Sequence, residues 1–202
     1  MQRDGTCAAG PPRSRGRRDA CLDLWWVVLL LAASIPVRVQ SQPASPTEYE
    51  VKAAFLYNFG RFVSWPHEAF EDSSAALVIG LLGQDPFGAT IDAMVGDKKL
   101  QGRPVRIRRF ESYPGPASCH ILFTTWSDPE PLRRLFAALG ESPVLTVGES
   151  AEFAALGGIV RFFLEENKVR FEVNSAAAER AALTISSKML RLAHKVGKEP
   201  ER

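Results

Sequence analysis

The sequence predicts an α/β fold, a single domain in which a mainly parallel sheet is flanked by helices and ends in a C-terminal antiparallel hairpin. The continuous apolar run 77–82 is typical of a parallel strand that is buried on both faces. Further predicted strands alternate with helical patterns, which indicates a layered α/β arrangement, at 105–109, 120–124 and 144–147. Two last runs, 159–164 and 169–173, are separated only by the short polar segment 165–168, which predicts the hairpin.

A leader precedes this domain. Arginines between Arg13 and Arg18 are followed by an apolar run from Leu24 to Ala33, and then by small and polar residues around Ser41. This order is typical of a secretory signal peptide. The apolar run is well short of the ~20 residues that a membrane-spanning helix needs. We therefore expect export to a bacterial periplasm. The alternative is an uncleaved anchor that carries the same domain outside the cytoplasm.

The predicted organisation is a signal peptide and short linker over 1–42, an α/β domain over 43–195 and a charged tail over 196–202. Residues 1–42 contain six of the 25 basic and three of the 23 acidic residues, so 19 basic and 20 acidic residues remain. A nearly neutral domain lacks the basic surface that binding to nucleic acids or anionic lipids requires. We therefore expect no nucleic-acid partner. Export also argues against kinases, ATPases and nicotinamide enzymes, because their cofactors are scarce outside the cytoplasm.

The domain is predicted to open with a helix from about Pro46 to Val63. Ser45 and Glu48 have the spacing of a capping box, with Pro46 at the first helical position. One apolar arc covers ~200° of this helix, whereas an ordinary surface helix has a stripe of a little over ~100°. Such a helix is either deeply buried or shared between two surfaces. The arc contains Val51, Ala54, Phe55, Asn58, Phe59 and Phe62, with Leu56 and Val63 at its margins.

Two features of this helix stand out as candidates for binding. Asn58 lies near the middle of the apolar arc, where an amide without hydrogen-bond partners costs ~1–3 kcal/mol. Its side chain either makes a structural hydrogen bond or fixes the register of a dimer or partner contact. Aromatic residues of the kind found around it anchor both cores and interfaces. The candidate partner or dimer surface is Phe55, Tyr57, Asn58, Phe59, Arg61 and Trp65.

The turn from Gly83 to Gly88 follows a strand and opens a helix, where a phosphate-binding loop would lie. It lacks the three-glycine and P-loop patterns, and Asp85 would repel a phosphate there. We therefore predict an ordinary turn with Asp85 as the helix N-cap. Ser127, with Glu130 three residues later, is predicted to cap the next helix, and a short helix is expected from about Ser150.

The end of the chain has a different pattern. Arg170, Glu172 and Asn174 alternate with apolar residues, so the last long strand is predicted to have a polar face. A helix is predicted from about Ser175. The segment 183–185 is rich in β-forming residues, so we expect a break there and a second helix capped by Ser186 or Ser187.

Cys119 is the one cysteine that remains after loss of the leader, so it cannot form an internal disulfide. Its apolar neighbours favour a buried, inert thiol, with an intermolecular disulfide or a redox role as the alternatives. The three histidines are scattered, without metal-binding spacing, and the chain has no nucleophile elbow. We expect no metal, no cofactor and no catalytic residues.

Short motifs spread over nearly the whole mature chain carry a family resemblance. They are VKAAFLYNF at 51–59, FVxWP at 62–66, GxDPFG at 83–88, GRPV at 102–105, CHILF at 119–123, GGIV at 157–160, VRFEVN at 169–174 and ISSKMLxLA at 185–193. In this order they resemble the YfiR-type family, which was first known as a domain of unknown function.

The resemblance implies a non-enzymatic periplasmic regulator that binds and represses a membrane-anchored diguanylate cyclase, and so lowers cyclic-di-GMP signalling. It further implies a homodimer, and an outer-membrane lipoprotein that sequesters the repressor. A periplasmic receptor for a small ligand is the alternative, with a crevice near Asp85 at the carboxyl ends of the strands.

Two departures from the family pattern matter. Relatives carry disulfides that stabilise the repressor, whereas here only Cys119 is available, which argues against control by an internal disulfide. Ala182 lies where relatives often have glycine, which predicts a less sharp break before the last helix.

Overall fold

The computed structural model describes residues 46–113, 115 and 118–194. The predicted signal peptide over 1–42 and the charged tail over 196–202 lie outside the described residues. The helices are α1 (Glu48–Phe62), α2 (Ala89–Val95), α3 (Pro129–Leu139), α4 (Ala151–Ala155), α5 (Ser175–Arg180) and α6 (Ser187–Leu192). The strands are β1 (Val63–Ser64), β2 (Leu77–Leu82), β3 (Lys99–Leu100), β4 (Arg103–Phe110), β5 (Ile121–Thr124), β6 (Leu145–Gly148), β7 (Val160–Glu165), β8 (Lys168–Val173) and β9 (Thr184–Ile185). Across the described ranges, no helix has the length and apolar character needed to cross a membrane.

Seven strands form one sheet in the order β3-β4-β2-β5-β6-β7-β8. The five central strands are parallel, and the edge strands β3 and β8 are antiparallel to their neighbours. β7 and β8 are joined by Glu166 and Asn167, whose φ angles of 49° and 59° suit the two-residue turn of a hairpin. The predicted fold class, a mainly parallel α/β sheet with a C-terminal antiparallel hairpin, is confirmed.

The apolar run predicts β2 well because this strand is covered on both faces. β2 spans 77–82 as predicted, and it pairs with β4 on one side and with β5 on the other. β4 is longer than predicted because Arg103 and Pro104, at its start, pair with β3. These two residues do not belong to the apolar pattern, so the sequence does not mark them as part of a strand.

α1 begins at Glu48, two residues later than predicted. Thr47, rather than Ser45, is its N-cap, because the hydroxyl of Thr47 accepts a hydrogen bond from the backbone N–H of Glu50 at 3.3 Å. The carboxylate of Glu50 accepts the backbone N–H of Thr47 at 2.6 Å, which completes a capping box. Ser45 and Thr47 are each followed by a glutamate three residues later, so both fit the spacing of a capping box. Pro46 precedes the helix instead of opening it.

The buried face of α1 is rotated from the predicted apolar arc. Of the six central residues of that arc only Phe59 is fully buried, whereas Phe55 and Asn58 are half-buried. Leu56 and Val63, at its margins, are buried as well. Lys52 causes much of the difference: it is 3 % exposed and its ammonium group bonds to Glu48 and, at 2.6 Å, to Glu149. A charged residue at this position suggests a solvated face, but two carboxylates allow it to be buried. The buried residues of the helix are Lys52, Ala53, Leu56, Phe59 and Gly60.

Two other predicted helix caps are displaced. Asp85 accepts the backbone N–H groups of Phe87 and Gly88 in a turn, and α2 begins only after Gly88. Gly88 has a φ of 54°, which glycine adopts without strain. Asp128, rather than Ser127, is the residue before α3, and no side chain caps this helix. Pro129, at the first helical position, has no N–H group that needs an acceptor.

The predicted break near the end of the domain is confirmed, since β9 separates α5 from α6 and Ser186 caps α6. The break is sharp, contrary to the expectation from Ala182. This alanine has a φ of 52° and so adopts the left-handed conformation that glycine favours.

β1 and β9 form a separate two-stranded antiparallel sheet, with Val63 opposite Ile185. The backbone N–H of Ser186 donates to the carbonyl oxygen of Phe62 at 2.8 Å and extends this contact. The pair ties the C-terminal end of α1 to the segment between α5 and α6. Its strands have two residues each, which is too short for a sequence pattern to predict.

The buried apolar side chains form two clusters. The larger cluster includes α1, α2 and the hairpin rings Phe162 and Phe171, and the smaller one includes α3 and Phe153 of α4. Phe153 is fully buried against Gly158, where a Cβ atom would lie 2.0 Å from the ring. Glycine at this position is therefore a requirement of packing.

Candidate functional site

The partner surface predicted on α1 divides into a core part and a surface part. Phe59 is 1 % exposed and belongs to the core, so its assignment to a partner surface is wrong. Its ring stacks on Phe162 at 5.7 Å and meets Phe171 at 5.1 Å, and a ring enclosed in this way cannot reach a partner. Of the other predicted residues, Arg61 is exposed, and half-buried positions are occupied by Phe55, Tyr57, Asn58 and Trp65.

A second, half-buried stripe runs along α1. Val51, Phe55, Asn58 and Phe62 follow one another at spacings of four, three and four residues, which places them on one side of the helix. This is also the spacing with which one helix packs along another. We call these four residues the α1 seam. Because each of them is half-buried, α1 has a core face and a second, partly open apolar face.

Phe55 connects this seam to the hairpin. Its ring lies 5.3 Å from that of Phe171 and 6.0 Å from that of Phe162, measured between centroids. Aromatic pairs at such distances hold two elements together. The inner edge of Phe55 is therefore fixed on the hairpin while its outer part remains open.

Asn58 bonds within its own helix. Its side-chain N–H donates to the carbonyl oxygen of Ala54, one turn earlier, at 2.8 Å. Among the described residues no donor reaches the side-chain oxygen of Asn58 within hydrogen-bond distance. The structural hydrogen bond therefore uses the amide nitrogen and leaves the side-chain oxygen without a partner among the described residues.

Between α1 and the hairpin lies an open groove of about 480 Å³. Two seam residues, Val51 and Phe55, contribute to its apolar lining, and Leu164 at its margin is 51 % exposed. Glu48, Lys168 and Arg170 also line the groove. A lining that combines apolar and charged residues is typical of protein interfaces. We call this the hairpin groove; its lining consists of Pro46, Glu48, Val51, Phe55, Leu164, Asn167, Lys168, Val169 and Arg170.

The predicted polar strand face is not a continuous strip. Arg170 lies 3.4 Å from Glu165, and Glu172 pairs with Arg161 on the neighbouring strand. Asn174 lies beyond the end of β8, where its side-chain oxygen accepts the backbone N–H of Ala177 and caps α5. The ion pairs and the cap give these residues structural roles.

Trp65 lies in an aromatic cluster around His120. Its indole N–H donates to the carbonyl oxygen of His120 at 3.2 Å, and the ring of Phe70 stacks on the imidazole at 4.3 Å. Nδ1 of His120 accepts the backbone N–H of Val78, which leaves Nε2–H to donate to the carbonyl oxygen of Ala69, each at 3.0 Å. Burial lowers the pKa of His120, so the imidazole is neutral and serves as a structural link.

Cys119 lies among apolar side chains and is 4 % exposed. Burial raises the pKa of its thiol to about 11, although Ser118 and Arg108 act in the opposite direction. The reactive thiolate is therefore scarce at neutral pH. This environment suits an inert thiol better than a redox site.

The crevice expected for a small-ligand receptor is occupied by the chain itself. The strand order places it between β2 and β5, at their carboxyl ends. There Trp126 packs so closely on Gly83 that a Cβ atom at this glycine would lie 2.6 Å from the indole nitrogen. Asp85 turns its other carboxylate oxygen to Arg109 at 2.7 Å. The geometry therefore gives the receptor alternative no support.

The described ranges contain no group of three or more His, Cys, Asp or Glu side chains arranged to hold a metal ion. The candidate binding surface among the described residues consists of the α1 seam and the hairpin groove.

Comparison with known proteins agrees with the motif resemblance. A search of the curated proteins found no match. The family model described as YfiR/HmsC-like matches residues 49–194, which is most of the chain and includes every helix and strand of the fold except the first residue of α1. That family is regulatory and periplasmic. The chain belongs to the YfiR/HmsC-like family.

Proposed function

We propose that the protein is a non-enzymatic repressor that binds the periplasmic part of an inner-membrane diguanylate cyclase and thereby lowers cyclic-di-GMP signalling. Family membership supports a periplasmic regulator, and the resemblance of the motifs supports a cyclase as its target. The observation that carries the proposal is the surface that the α1 seam and the hairpin groove form together, with Val51 and Phe55 in both.

The length of α1 supports this proposal. α1 has 15 residues and is therefore about 22 Å long at a rise of about 1.5 Å per residue. A specific interface buries about 800 Å² on each partner. A helix of the cyclase lying along the seam would contact the length of α1 and reach the exposed side chain of Leu164. The charges of Glu48, Lys168 and Arg170 would fix its orientation.

Asn58 would set the register of such a contact. A single polar residue in an apolar helix seam favours the one alignment in which its amide finds a partner. The side-chain oxygen of Asn58, which has no partner among the described residues, is the group available for this bond. Repression then follows from binding alone, provided that the protein binds the inactive state of the cyclase more tightly than its active state.

The test is co-purification of the cyclase from membranes with the tagged mature chain, together with cyclic-di-GMP measured in the same cells. Leu164→Glu places a carboxylate at the margin of the hairpin groove, so we expect the cyclase to be lost and cyclic-di-GMP to rise. Ala138→Glu is the matched control, because it adds the same charge at an exposed position of α3. If a folded Leu164→Glu protein still binds and represses, the groove is not the site. If the parent captures no cyclase, the target is wrong.

The same proposal includes a homodimer and sequestration by an outer-membrane lipoprotein. Sedimentation equilibrium of the mature chain measures the dimer, and a mass equal to one chain at every concentration would exclude it. Competition between the lipoprotein and the cyclase for the tagged chain measures sequestration. Independent binding of both would contradict it.

A further inference from the structure

The two edges of the seven-stranded sheet are protected to different degrees. At the β8 edge, the backbone N–H of His194 donates to the carbonyl oxygen of Phe171 at 2.7 Å, so the chain itself covers part of this strand. At the other edge, β3 pairs only with Arg103 and Pro104. Within the described residues, β4 has no neighbour on its outer side from Val105 to Phe110.

The register shows which backbone groups face outward. Gly83 donates its backbone N–H to the carbonyl oxygen of Phe110 at 2.8 Å, which fixes Phe110 as a residue whose backbone bonds to the β2 side. In a parallel ladder, successive residues of a strand point their backbone N–H and C=O groups to opposite sides. The backbone groups of Val105, Ile107 and Arg109 therefore face outward. No described backbone group outside the regular ladders bonds to these three residues.

The side chains at this edge carry unneutralised positive charge. Arg106 and Arg108 are exposed and, being two residues apart on a strand, lie on the same face. Neither forms an ion pair with a carboxylate among the described side chains; Arg108 reaches the carbonyl oxygen of Ser118 at 3.4 Å and lies over the ring of Phe110, 5.1 Å from its centroid. Arg109 differs, because Asp85 and Asp92 hold its guanidinium group at 2.7 and 2.6 Å.

Charge decides what can pair with this strand. Two copies of β4 side by side would bring arginines together, and like charges facing each other across strands are destabilising. The arginines therefore protect the edge from pairing with its own copy. An extended segment with carboxylates at alternate positions would instead satisfy the free backbone groups and both guanidinium groups.

We propose that the outer edge of β4 binds an extended, acidic segment of a partner protein as an added strand, with its carboxylates on Arg106 and Arg108. β4 lies near the opposite end of the sheet from β8 and the hairpin groove. This second docking site is therefore independent of the function proposed above, and either one can fail without the other.

The probe is a short peptide in which Val and Glu alternate, bound to the mature chain and measured by titration. We expect Arg106→Glu with Arg108→Glu to weaken binding by at least about tenfold. Arg133→Glu with Arg134→Glu makes the same charge change at exposed positions of α3, and we expect binding to be unchanged. A version of the peptide in which every backbone amide is N-methylated keeps its charge but has no N–H donor on either edge, so it should not bind.

Hydrogen exchange locates the site in the unmodified protein and does not depend on how the variants fold. The peptide is expected to slow exchange of the backbone N–H groups of Ile107 and Arg109 and to leave the β8 edge unchanged. Equal binding of the N-methylated peptide would show simple charge attraction and overturn the proposal. Slowed exchange at β8 alone, or undiminished binding by a folded Arg106→Glu, Arg108→Glu protein, would overturn it as well.

Discussion

Ala182→Gly is expected to stabilise the domain by relieving backbone strain. Ala182 is exposed and has a φ of 52°. A residue with a side chain loses ~1–2 kcal/mol in this left-handed conformation, and glycine does not. The gain is reduced because glycine makes the unfolded chain more flexible, which costs ~0.4–1 kcal/mol. The expected net change is a rise of ~0.5–1 kcal/mol in the free energy of unfolding.

Ala176→Gly is the matched control for this substitution. Ala176 is also exposed, but it lies within helix α5. There glycine lowers the free energy of unfolding by up to ~1 kcal/mol, since it has a poor helix propensity. Both substitutions remove a single exposed methyl group, so the difference between them reports the backbone conformation.

Thermal unfolding followed by circular dichroism measures the Tm of both variants against the parent. In a domain of this size ~1 kcal/mol corresponds to about 2–4 °C in Tm, so Ala182→Gly should raise the Tm by about 1–4 °C and Ala176→Gly should lower it by up to about 4 °C. If Ala182→Gly destabilises the domain as much as Ala176→Gly does, the left-handed turn is absent and the reasoning about the sharp break is refuted.

Three further predictions follow from burial. Phe59→Ala removes a fully buried ring and should lower the free energy of unfolding, measured by urea titration, by ~3–5 kcal/mol. Asn58→Ala should lower it by no more than ~1.5 kcal/mol, and equal losses would contradict the division of α1 into core and seam. Because burial lowers the pKa of His120, the unfolded chain binds a proton at a pH where the folded chain does not. The free energy of unfolding should therefore fall as the pH drops below ~6.5, and it should fall less steeply in His120→Phe. Identical slopes in the two proteins would assign the pH dependence to other residues. Cys119, with a pKa raised to about 11, should resist alkylation in the native protein and react on unfolding, and rapid labelling of the folded chain would show an exposed thiol.

The sheet could be predicted from the sequence because its signal is local. A strand between two parallel neighbours needs apolar side chains on both faces, so β2 appears as an uninterrupted apolar run. The two-residue turn after β7 is also encoded locally, in Asn167 and its polar neighbours. Cap positions were harder to predict, because Ser127 and Asp128 are both capable of capping and their separation is a single residue.

The candidate site could be predicted only in part, because it depends on contacts between distant residues. The aromatic character of α1 indicates an interface, but it does not tell Phe59 from Phe55. That distinction depends on which side of the helix faces the hairpin rings, more than a hundred residues away. Lys52 shows the same problem, since its burial depends on Glu149, 97 positions later in the chain. Neither partner is visible in the sequence around α1.

The small sheet of β1 and β9 sets the time at which the domain can be completed during synthesis. Val63 and Ile185 are 122 positions apart, and ribosomes make a chain from its N-terminus. The C-terminal end of α1 therefore has no strand partner until residues 184–186 emerge, near the end of the domain. Contacts of such long sequence separation also form slowly, because the entropy of closing the loop must be lost first. Until then the nascent chain stays open at this corner, with its first helix not yet fastened to its last.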